Sequence, residues 1–427
     1  LSNPDVLSIA TKTVLKWIVE HPEVPIIDVS QNDGTGACEC DSCVAIVNEE
    51  GSQHGPILRF VNAIADEVAK KYPDKWIETL AYAYSTAPPR ITKPRNNVII
   101  RLCHAGCFFH GFERCDLGSQ HALWLEGWSK LTNRIFVWYY GTNFRHYLGP
   151  NPNLDGLARD IKYYGDHRVN GVMVQCNYQG HGGELAELRQ YLCAQLLWDP
   201  TQDPMKIRED FCRGYYGEAW AVVMEFLAKM DEFARGDAHV FAVWEPQDIM
   251  SPEFVAEALT LLETAYSLSD TPAIRNRIEK LMLPYWYLYL RYPTKYGLTK
   301  EEAGAYLKPV KRVIEANAIE FVCEGGEPNA QQWLAQIEAE YGVLEEGVLY
   351  SLLSEKPVET VNCDDWRLNS VEREGRHVAT ILHHPPAEGD GTATFELRLP
   401  PNEKTALTFA TVIAAPTVDG VRFSILV

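Results

Sequence analysis

A short run of polar residues ends the first predicted strand and carries the groups best suited to acid–base chemistry. The run reads Ser30-Gln31-Asn32-Asp33 and Gly34 follows it at once. A carboxyl group can donate or accept a proton, and an adjacent amide can hold a polar substrate group by hydrogen bonds. We therefore take Asn32 and Asp33 as the candidate catalytic residues. The same composition also suits an ordinary loop, in which these side chains satisfy nearby backbone groups.

Polar and aromatic residues end four later strands in the same way. They are Tyr82; then Arg101 and His104; then Trp138, Tyr140 and Asn143; then Gln175, Asn177 and Tyr178. Aromatic rings can pack flat against a ligand, while polar groups between them can bind hydroxyls. The chain is rich in such rings, with 11 Trp and 21 Tyr. We predict that these residues line a sugar-binding pocket.

Glu78 is a carboxylate in the middle of a predicted strand. A buried carboxylate needs a charged partner, and Arg101 is the partner that we expect. We interpret this pair as structural. Glu184 and Glu187, which follow the last strand, are reserve candidates for the acid.

Three thiols in the pattern Cys-x-Cys-x-x-Cys suggest a metal site. Cys38, Cys40 and Cys43 form this pattern. A second loop carries further cysteines and histidines, at Cys103, His104, Cys107, His110 and Cys115. Zinc takes four tetrahedral ligands, so thiolates from the two loops could share one structural zinc ion. Reduced thiols in loop packing, or one disulfide, are the alternatives, and we expect the reaction itself to need no cofactor.

Composition limits the class of protein. The chain has 427 residues, 46% of them hydrophobic, and a formal net charge of −19. Such a charge repels nucleic acid, and no apolar stretch is long enough to span a membrane. The first residues lack the features of a signal peptide and the chain begins at Leu1. Localisation and oligomeric state are therefore left open.

Helices and short apolar strands alternate over the first 200 residues. Strands are predicted at Pro25 to Val29, Trp76 to Tyr82, Val98 to Leu102, Ile135 to Tyr139 and Val172 to Cys176. Such alternation indicates an α/β fold with a parallel sheet. No Gly-rich phosphate loop follows a strand, which favours a (β/α)8 TIM-type barrel over a doubly wound nucleotide-binding sheet. Because a barrel needs eight strands, we expect the N-terminal units to be absent from this chain.

Two further domains are predicted. Residues 1–200 would supply five β/α units of the barrel, residues 204–348 a helical domain, and residues 356–427 a β-sandwich. The last region resembles part of a carbohydrate-binding module and ends within a strand. Its alternative is an accessory sandwich without a ligand.

Many short motifs resemble one known family, the domain of unknown function 4838, also classed as glycoside hydrolase family 163. The motifs are IIDVSQNDG, CECDSC, GPILRFVNAIADEV, TLAYAYSTAPP, NVIIRLC, FVWYYGTNFRHYLGPNPNL, GELAELRQYLCAQLLWDP and DFCRGYYG. The resemblance covers residues 1 to about 235. It implies a barrel hydrolase of the endo-β-N-acetylglucosaminidase type that acts on complex N-glycans.

The resemblance also implies substrate-assisted catalysis, in which the 2-acetamido oxygen of the sugar attacks the anomeric carbon. By analogy with related hexosaminidases, Asn32 would orient the acetamido group and Asp33 would act as general acid and base. An Asp acid would need burial or a neighbouring negative charge to hold its proton. Two alternatives stay open: a two-carboxylate glycosidase of uronidase type, with Arg101 or His104 on a substrate carboxylate, and a non-catalytic glycan-binding protein.

Overall fold

The structure, a computed structural model, describes most of the first 342 residues. It covers residues 1–342 except 105, 113, 114 and 327, together with the backbone of four strands between 359 and 394. Among the described residues no helix is long and apolar enough to span a membrane.

Five parallel strands form one open sheet. They are β1 Ile26–Asp28, β2 Trp76–Ala81, β3 Val98–Cys103, β4 Ile135–Tyr140 and β5 Gly171–Gln175. Their order in the sheet is the order in the chain, and every neighbouring pair is parallel. The register places Leu80, Arg101, Phe136 and Gly171 side by side. All five strands coincide with the predicted segments to within a residue or two.

Six helices accompany these strands. They are α1 Pro4–Glu20, α2 Asp41–Glu50, α3 His54–Lys71, α4 Asp116–Ser129, α5 Leu154–Asp166 and α6 Ala186–Trp198. The bounds of α1 follow from local chemistry, since the Asn3 side chain caps the first turn and Pro4 occupies its start. One face of α3 carries Leu58, Val61, Ile64, Ala65 and Val68 and is buried. The sequence analysis missed α2, which is short and weakly amphipathic.

The sequential strand order leaves the two faces of the sheet in different surroundings. Right-handed crossovers between consecutive parallel strands place the connecting helices on one face. In β4, Ile135, Val137 and Tyr139 are buried in the core, whereas Trp138 and Tyr140 on the other face are partly exposed. The sheet is thus a curled half-barrel, and we call the face that bears Trp138 and Tyr140 the inner face. The five strands agree with the five strands predicted for this chain, but the complete (β/α)8 barrel to which we assigned them is not confirmed.

A helical segment follows the sheet. Its helices are α7 Pro204–Tyr216, α8 Trp220–Ala234, α9 Pro246–Ile249, α10 Pro252–Ser267, α11 Pro272–Arg291, α12 Lys300–Gly304, α13 Leu307–Ala316 and α14 Ala330–Glu340. The chain turns between α7 and α8 at Gly217, whose positive φ of 53° a glycine adopts without strain. Two residues, Ala305 and Tyr306, separate α12 from α13.

Four strands are described beyond residue 342. They are β6 Glu359–Val361, β7 Asp365–Arg373, β8 Arg376–His384 and β9 Thr392–Thr394. β6 pairs with β9 and β7 pairs with β8, both antiparallel. Strands are therefore present as predicted, but the β-sandwich is not confirmed. The remainder of that prediction lies outside the described residues.

A buried ion pair holds the loop that follows β5. Arg189 of α6 is only 2% exposed, and its Nη2 lies 2.5 Å from Oε2 of Glu184. The guanidinium also donates to Oδ1 of Asn153 at 3.0 Å and to the carbonyl of Asn151 at 3.1 Å. Burial raises the pKa of the Glu184 carboxyl, against the opposing effect of Arg189. Glu184 therefore acts as a structural partner of Arg189.

We expect the Arg189→Met variant to lose about 3–5 kcal/mol of unfolding free energy, because it leaves a buried carboxylate unpaired. Chemical denaturation measures the loss. The Arg189→Met/Glu184→Met double variant should lose less than the single variant, since no isolated charge remains. The matched control is Arg213→Met, whose exposed pair with Glu209 should contribute less than about 1 kcal/mol. Equal losses for Arg189→Met and the control would contradict the assignment.

Candidate active site

Charged residues lie on the inner face of the sheet, beneath its carboxyl end. Nη2 of Arg101 lies 2.7 Å from Oε2 of Glu78, which confirms the predicted pair. The Arg101 guanidinium also lies 6.0 Å from the ring of Trp138. Burial raises the pKa of Glu78 and partial burial raises that of Asp28, although Arg101 opposes both shifts. A positive charge is thus fixed under an aromatic surface.

The loop that carries Asn32 and Asp33 is tethered through its neighbours. Ser30 Oγ donates to Oδ1 of Asp28 at 2.6 Å and accepts a hydrogen bond from the Leu80 amide at 2.9 Å. Gln31 accepts a hydrogen bond from Ser85, in the turn that follows β2. These contacts fix residues 30 and 31, so the next two side chains project beyond the strand end.

Asp33 lies beside two tyrosines. The Tyr82 hydroxyl donates to Oδ1 of Asp33 at 3.0 Å. Desolvation, with this hydrogen bond and the charge of Asp33, raises the pKa of Tyr82 to about 12. Burial raises the pKa of Tyr140 as well, and Asp33 contributes to that shift. Both hydroxyls therefore stay protonated and can donate. Asp33 and Asn32 are themselves exposed, so the burial expected for an acid is not found among the described residues.

A second carboxylate reaches this face from the helical segment. Trp138 Nε1 donates to Oε1 of Gln175 at 2.7 Å, and Gln175 Nε2 donates to Oε1 of Glu324 at 3.1 Å. The Glu324 amide donates to the carbonyl of Phe144 at 2.7 Å. Glu324 also contributes to the raised pKa of Tyr82. Asp33 thus accepts a hydrogen bond from the Tyr82 hydroxyl, and the charge of Glu324 acts on the same hydroxyl.

The sequence analysis missed Glu324. This residue precedes Gly325-Gly326 in the connection between α13 and α14, and it lies far along the sequence from the five strands of the sheet. The available signal was its composition, since a carboxylate next to a glycine pair resembles the Asn32-Asp33-Gly34 loop. No periodic pattern links Glu324 to the sheet.

A cleft of about 380 Å³ adjoins Glu324. Its polar lining includes Arg145, His146, Glu245 and Arg291. Glu245 pairs with Arg145 at 2.9 Å and with His146 at 3.0 Å. Burial lowers the pKa of His146 to about 4, so its ring is neutral near pH 7. The cleft therefore continues the polar surface that begins at Glu324.

The structure brings together some of the predicted pocket residues and leaves others apart. Tyr82, Arg101, Trp138, Tyr140 and Gln175 share the inner face with Asp33. His104 is buried on the opposite side, where Nδ1 lies 3.3 Å from the Tyr164 hydroxyl. Asn143 is fully buried and donates to the Trp244 carbonyl at 2.9 Å.

The last two predicted pocket residues lie on the loop after β5. Asn177 folds over that loop and donates to the Gly182 carbonyl, whereas Tyr178 is 66% exposed. Glu187, a reserve acid, is paired with Lys280. None of these three side chains contacts Asp33 in the part of the chain that the structure describes.

Cys38, Cys40 and Cys43 lie together at the start of α2. Their sulfur atoms are within 4.8 Å of one another. A hydrogen bond from Ser2, with others from Cys43 and Cys38, lowers the pKa of Cys40 to about 6. A structural zinc ion usually takes four ligands, so these three thiols are one short of a full set and the zinc site stays a prediction. The second predicted group does not join it, since Cys103 contacts Tyr140 and His104 is buried elsewhere.

Comparison with known proteins identifies a family and finds similar solved structures. A family model described as domain of unknown function (DUF4838) matches residues 1–228. No curated protein matches the chain. One similar solved structure is described as a GH138 enzyme targeting pectin rhamnogalacturonan II. The identity is 12% and the TM-score 0.46, over 88% of this chain and 57% of the other. Such a likeness is too low to transfer a substrate or a catalytic residue.

We expect the Ser30→Ala variant to lose about 1–2 kcal/mol of unfolding free energy, because the Leu80 amide is left without its acceptor. Chemical denaturation measures this loss, and faster hydrogen exchange at Leu80 would locate it. Ser119→Ala is the control, since its hydroxyl bonds a carbonyl on the surface of α4. If both variants behave alike, Ser30 does not tether the loop.

Proposed function

We propose that this chain, which belongs to the family of the domain of unknown function DUF4838, is a glycoside hydrolase. The observation that carries the proposal is the position of Asp33. Its carboxylate accepts a hydrogen bond from the Tyr82 hydroxyl, and its charge contributes to the raised pKa of Tyr140. The Tyr140 ring lies beside that of Trp138, and both rings are partly exposed. Glycosidases need a carboxyl group that can protonate a leaving oxygen over a surface that holds the sugar ring.

The finer proposal is an endo-β-N-acetylglucosaminidase that acts on complex N-glycans by substrate assistance. The acetamido oxygen of the sugar attacks the anomeric carbon, and the bond from that carbon to the leaving oxygen breaks. Asp33 gives its proton to the leaving oxygen and then removes one from the water that opens the cyclic intermediate. Asn32 orients the acetamido group. Because Tyr82 binds Oδ1 of Asp33, Oδ2 would carry the transferred proton.

Sugar binding is proposed at the aromatic wall formed by Trp138 and Tyr140. Their rings lie 6.4 Å apart at an angle of 38°. The hydrogen bond from Trp138 to Gln175 fixes the indole, so little rotamer entropy is lost when a sugar stacks on it. The Tyr82 hydroxyl and the Gln175 amide offer polar contacts to the sugar hydroxyls.

Glu324 supports a second candidate, a glycosidase that uses two carboxylates. In that mechanism one carboxyl group protonates the leaving oxygen while the other attacks the sugar or activates water. Asp33 and Glu324 would supply the two groups. The Arg101 guanidinium could meet the acidic group of a uronic-acid substrate only in competition with Glu78. A third candidate, a non-catalytic glycan-binding protein, would use the same wall without turnover.

We expect the Asp33→Asn variant to lower kcat/KM for glycan release about 100-fold or more, the usual contribution of a general acid. The assay is release from a complex-type N-glycoprotein, and mass spectrometry identifies the products. Release should leave one N-acetylglucosamine on the protein. Asp41→Asn, in the exposed first turn of α2, is the matched control. Release undiminished in Asp33→Asn would remove Asp33 from the mechanism.

Glu324→Gln separates the two enzymatic candidates. Substrate assistance predicts less than about a 10-fold loss of kcat, because Glu324 transfers no proton, whereas two-carboxylate catalysis predicts about 100-fold or more. A thiazoline that mimics the cyclic intermediate should inhibit only a substrate-assisted enzyme. Turnover of a uronic-acid oligosaccharide without an acetamido group, together with a large loss in Glu324→Gln, would favour the second candidate.

We expect Trp138→Ala to raise KM about 5- to 100-fold, which corresponds to about 1–3 kcal/mol for the lost aromatic contact. Steady-state kinetics on the same glycoprotein measure the change. Trp198→Ala is the control, since that indole is 89% exposed at the end of α6. An unchanged KM in Trp138→Ala would place the sugar elsewhere.

A further inference from the structure

We propose that Cys107, His110, Cys115 and His239 bind one structural zinc ion. The two thiol sulfurs and two imidazole nitrogens lie within 4.8 Å of one another. Three of the ligands come from the loop after β3, and the fourth follows α8 in the helical segment. This group is distinct from the three thiols at Cys38, Cys40 and Cys43.

The distances suit a tetrahedral ion. Sγ of Cys107 lies 3.3 Å from Nδ1 of His110, and Sγ of Cys115 lies 3.3 Å from Nδ1 of His239. In a zinc site with two sulfur and two nitrogen ligands, neighbouring ligand atoms are about 3.4–3.8 Å apart. The side chains therefore need only small shifts to surround an ion.

A hydrogen bond from the second ring nitrogen of His110 orients this side chain as a metal ligand. Its Nε2–H donates to the carbonyl of Gly236 at 2.7 Å. Metal-bound histidines usually donate their second nitrogen to a carbonyl or carboxylate, which fixes the tautomer and aims the other nitrogen at the metal. Nδ1 is the nitrogen left to coordinate, and it is the one that faces Cys107. The rings of His110 and His239 are 4.8 Å apart and tilted by 58°.

The position of the cysteines points to a structural site. Cys107 is 1% exposed and Cys115 is 5% exposed, so substrate has little access to either sulfur. Two thiolates balance the charge of one Zn²⁺, which makes the site compatible with burial. Two thiolates and two imidazoles also complete the usual coordination of zinc without an open position for water or substrate.

Close backbone packing holds the loop after β3 in place on α5. A Cβ at Gly156 would lie 2.7 Å from the Phe108 carbonyl oxygen and 2.9 Å from that of Phe109. The Phe108 amide donates to the Val240 carbonyl at 3.0 Å, next to His239. The ion would thus reinforce a contact that already joins the sheet to the helical segment.

The first test measures zinc per chain in protein purified without chelator from zinc-supplemented medium. Wild-type protein should hold about one zinc ion more per chain than the Cys115→Ser and His239→Ala variants. The Cys38→Ser/Cys40→Ser/Cys43→Ser variant is the matched control and should keep this ion. Equal zinc in wild type and His239→Ala would overturn the proposal. His239 is exposed, so its replacement should leave the fold intact, and circular dichroism checks this.

The second test uses cobalt(II) as a spectroscopic substitute. Metal-free protein titrated with cobalt should develop the visible bands of a tetrahedral ion and a thiolate-to-cobalt charge-transfer band. Cys115→Ser should lose intensity in that band, whereas the control variant should not. Reduced wild-type protein that shows no tetrahedral spectrum, or a disulfide between Cys107 and Cys115 with no metal uptake after reduction, would overturn the site.

The third test follows stability. Removal of the metal by a chelator should lower the Tm of the wild-type protein and leave that of His239→Ala unchanged, since binding to the native state alone stabilises it. An equal decrease in both proteins would overturn the proposal. None of the three measurements depends on glycosidase activity, so failure of the proposed function would not affect their outcome.

Discussion

The handedness of β-α-β crossovers is the constraint on which this site depends. Five parallel strands pair in sequential order, so right-handed connections must place their helices on one face. On the other face, the described side chains of β4 are only partly buried. Apolar residues are not required there, which allows Arg101 and Glu78 to lie in the middle of strands. The same rule leaves Trp138 and Tyr140 partly exposed, although their neighbours Val137 and Tyr139 are buried.

Much of the sheet could be predicted from sequence because its signals are local. Asn3 and Pro4 define the start of α1, and short apolar runs bounded by turns define the strands. The alternation of side chains along each strand could also have predicted which residues face the pocket. Side chains alternate along a strand, so Arg101 and His104 must point to opposite faces. The structure places His104 among Phe108 and Tyr139, on the covered side. The strand end alone was therefore an insufficient criterion for a pocket residue.

The remaining site residues depend on contacts between distant parts of the chain. Glu324 reaches Gln175 across a sequence separation of 149 residues, and His239 reaches Cys115 across 124. Neither residue lies in a helix or strand whose hydrophobic pattern would predict where its side chain points. Their positions follow from how the helical segment packs on the half-barrel, which composition and spacing do not specify. The cysteine and histidine residues of the β3 loop were recognised as possible ligands, but their partner was not.

A catalytic carboxylate must be accessible to substrate and yet fixed in position. Glu324 is exposed, so packing around its side chain cannot fix it. Its backbone is fixed instead, because its amide donates to the Phe144 carbonyl while the Phe144 amide donates to the carbonyl of Ala242. The loop that carries Asp33 is held by a side chain, because Ser30 Oγ accepts a hydrogen bond from the Leu80 amide. In both cases a hydrogen bond to the backbone of a neighbouring segment supplies the rigidity. The carboxylates can then remain open to a substrate without losing their relation to the aromatic wall.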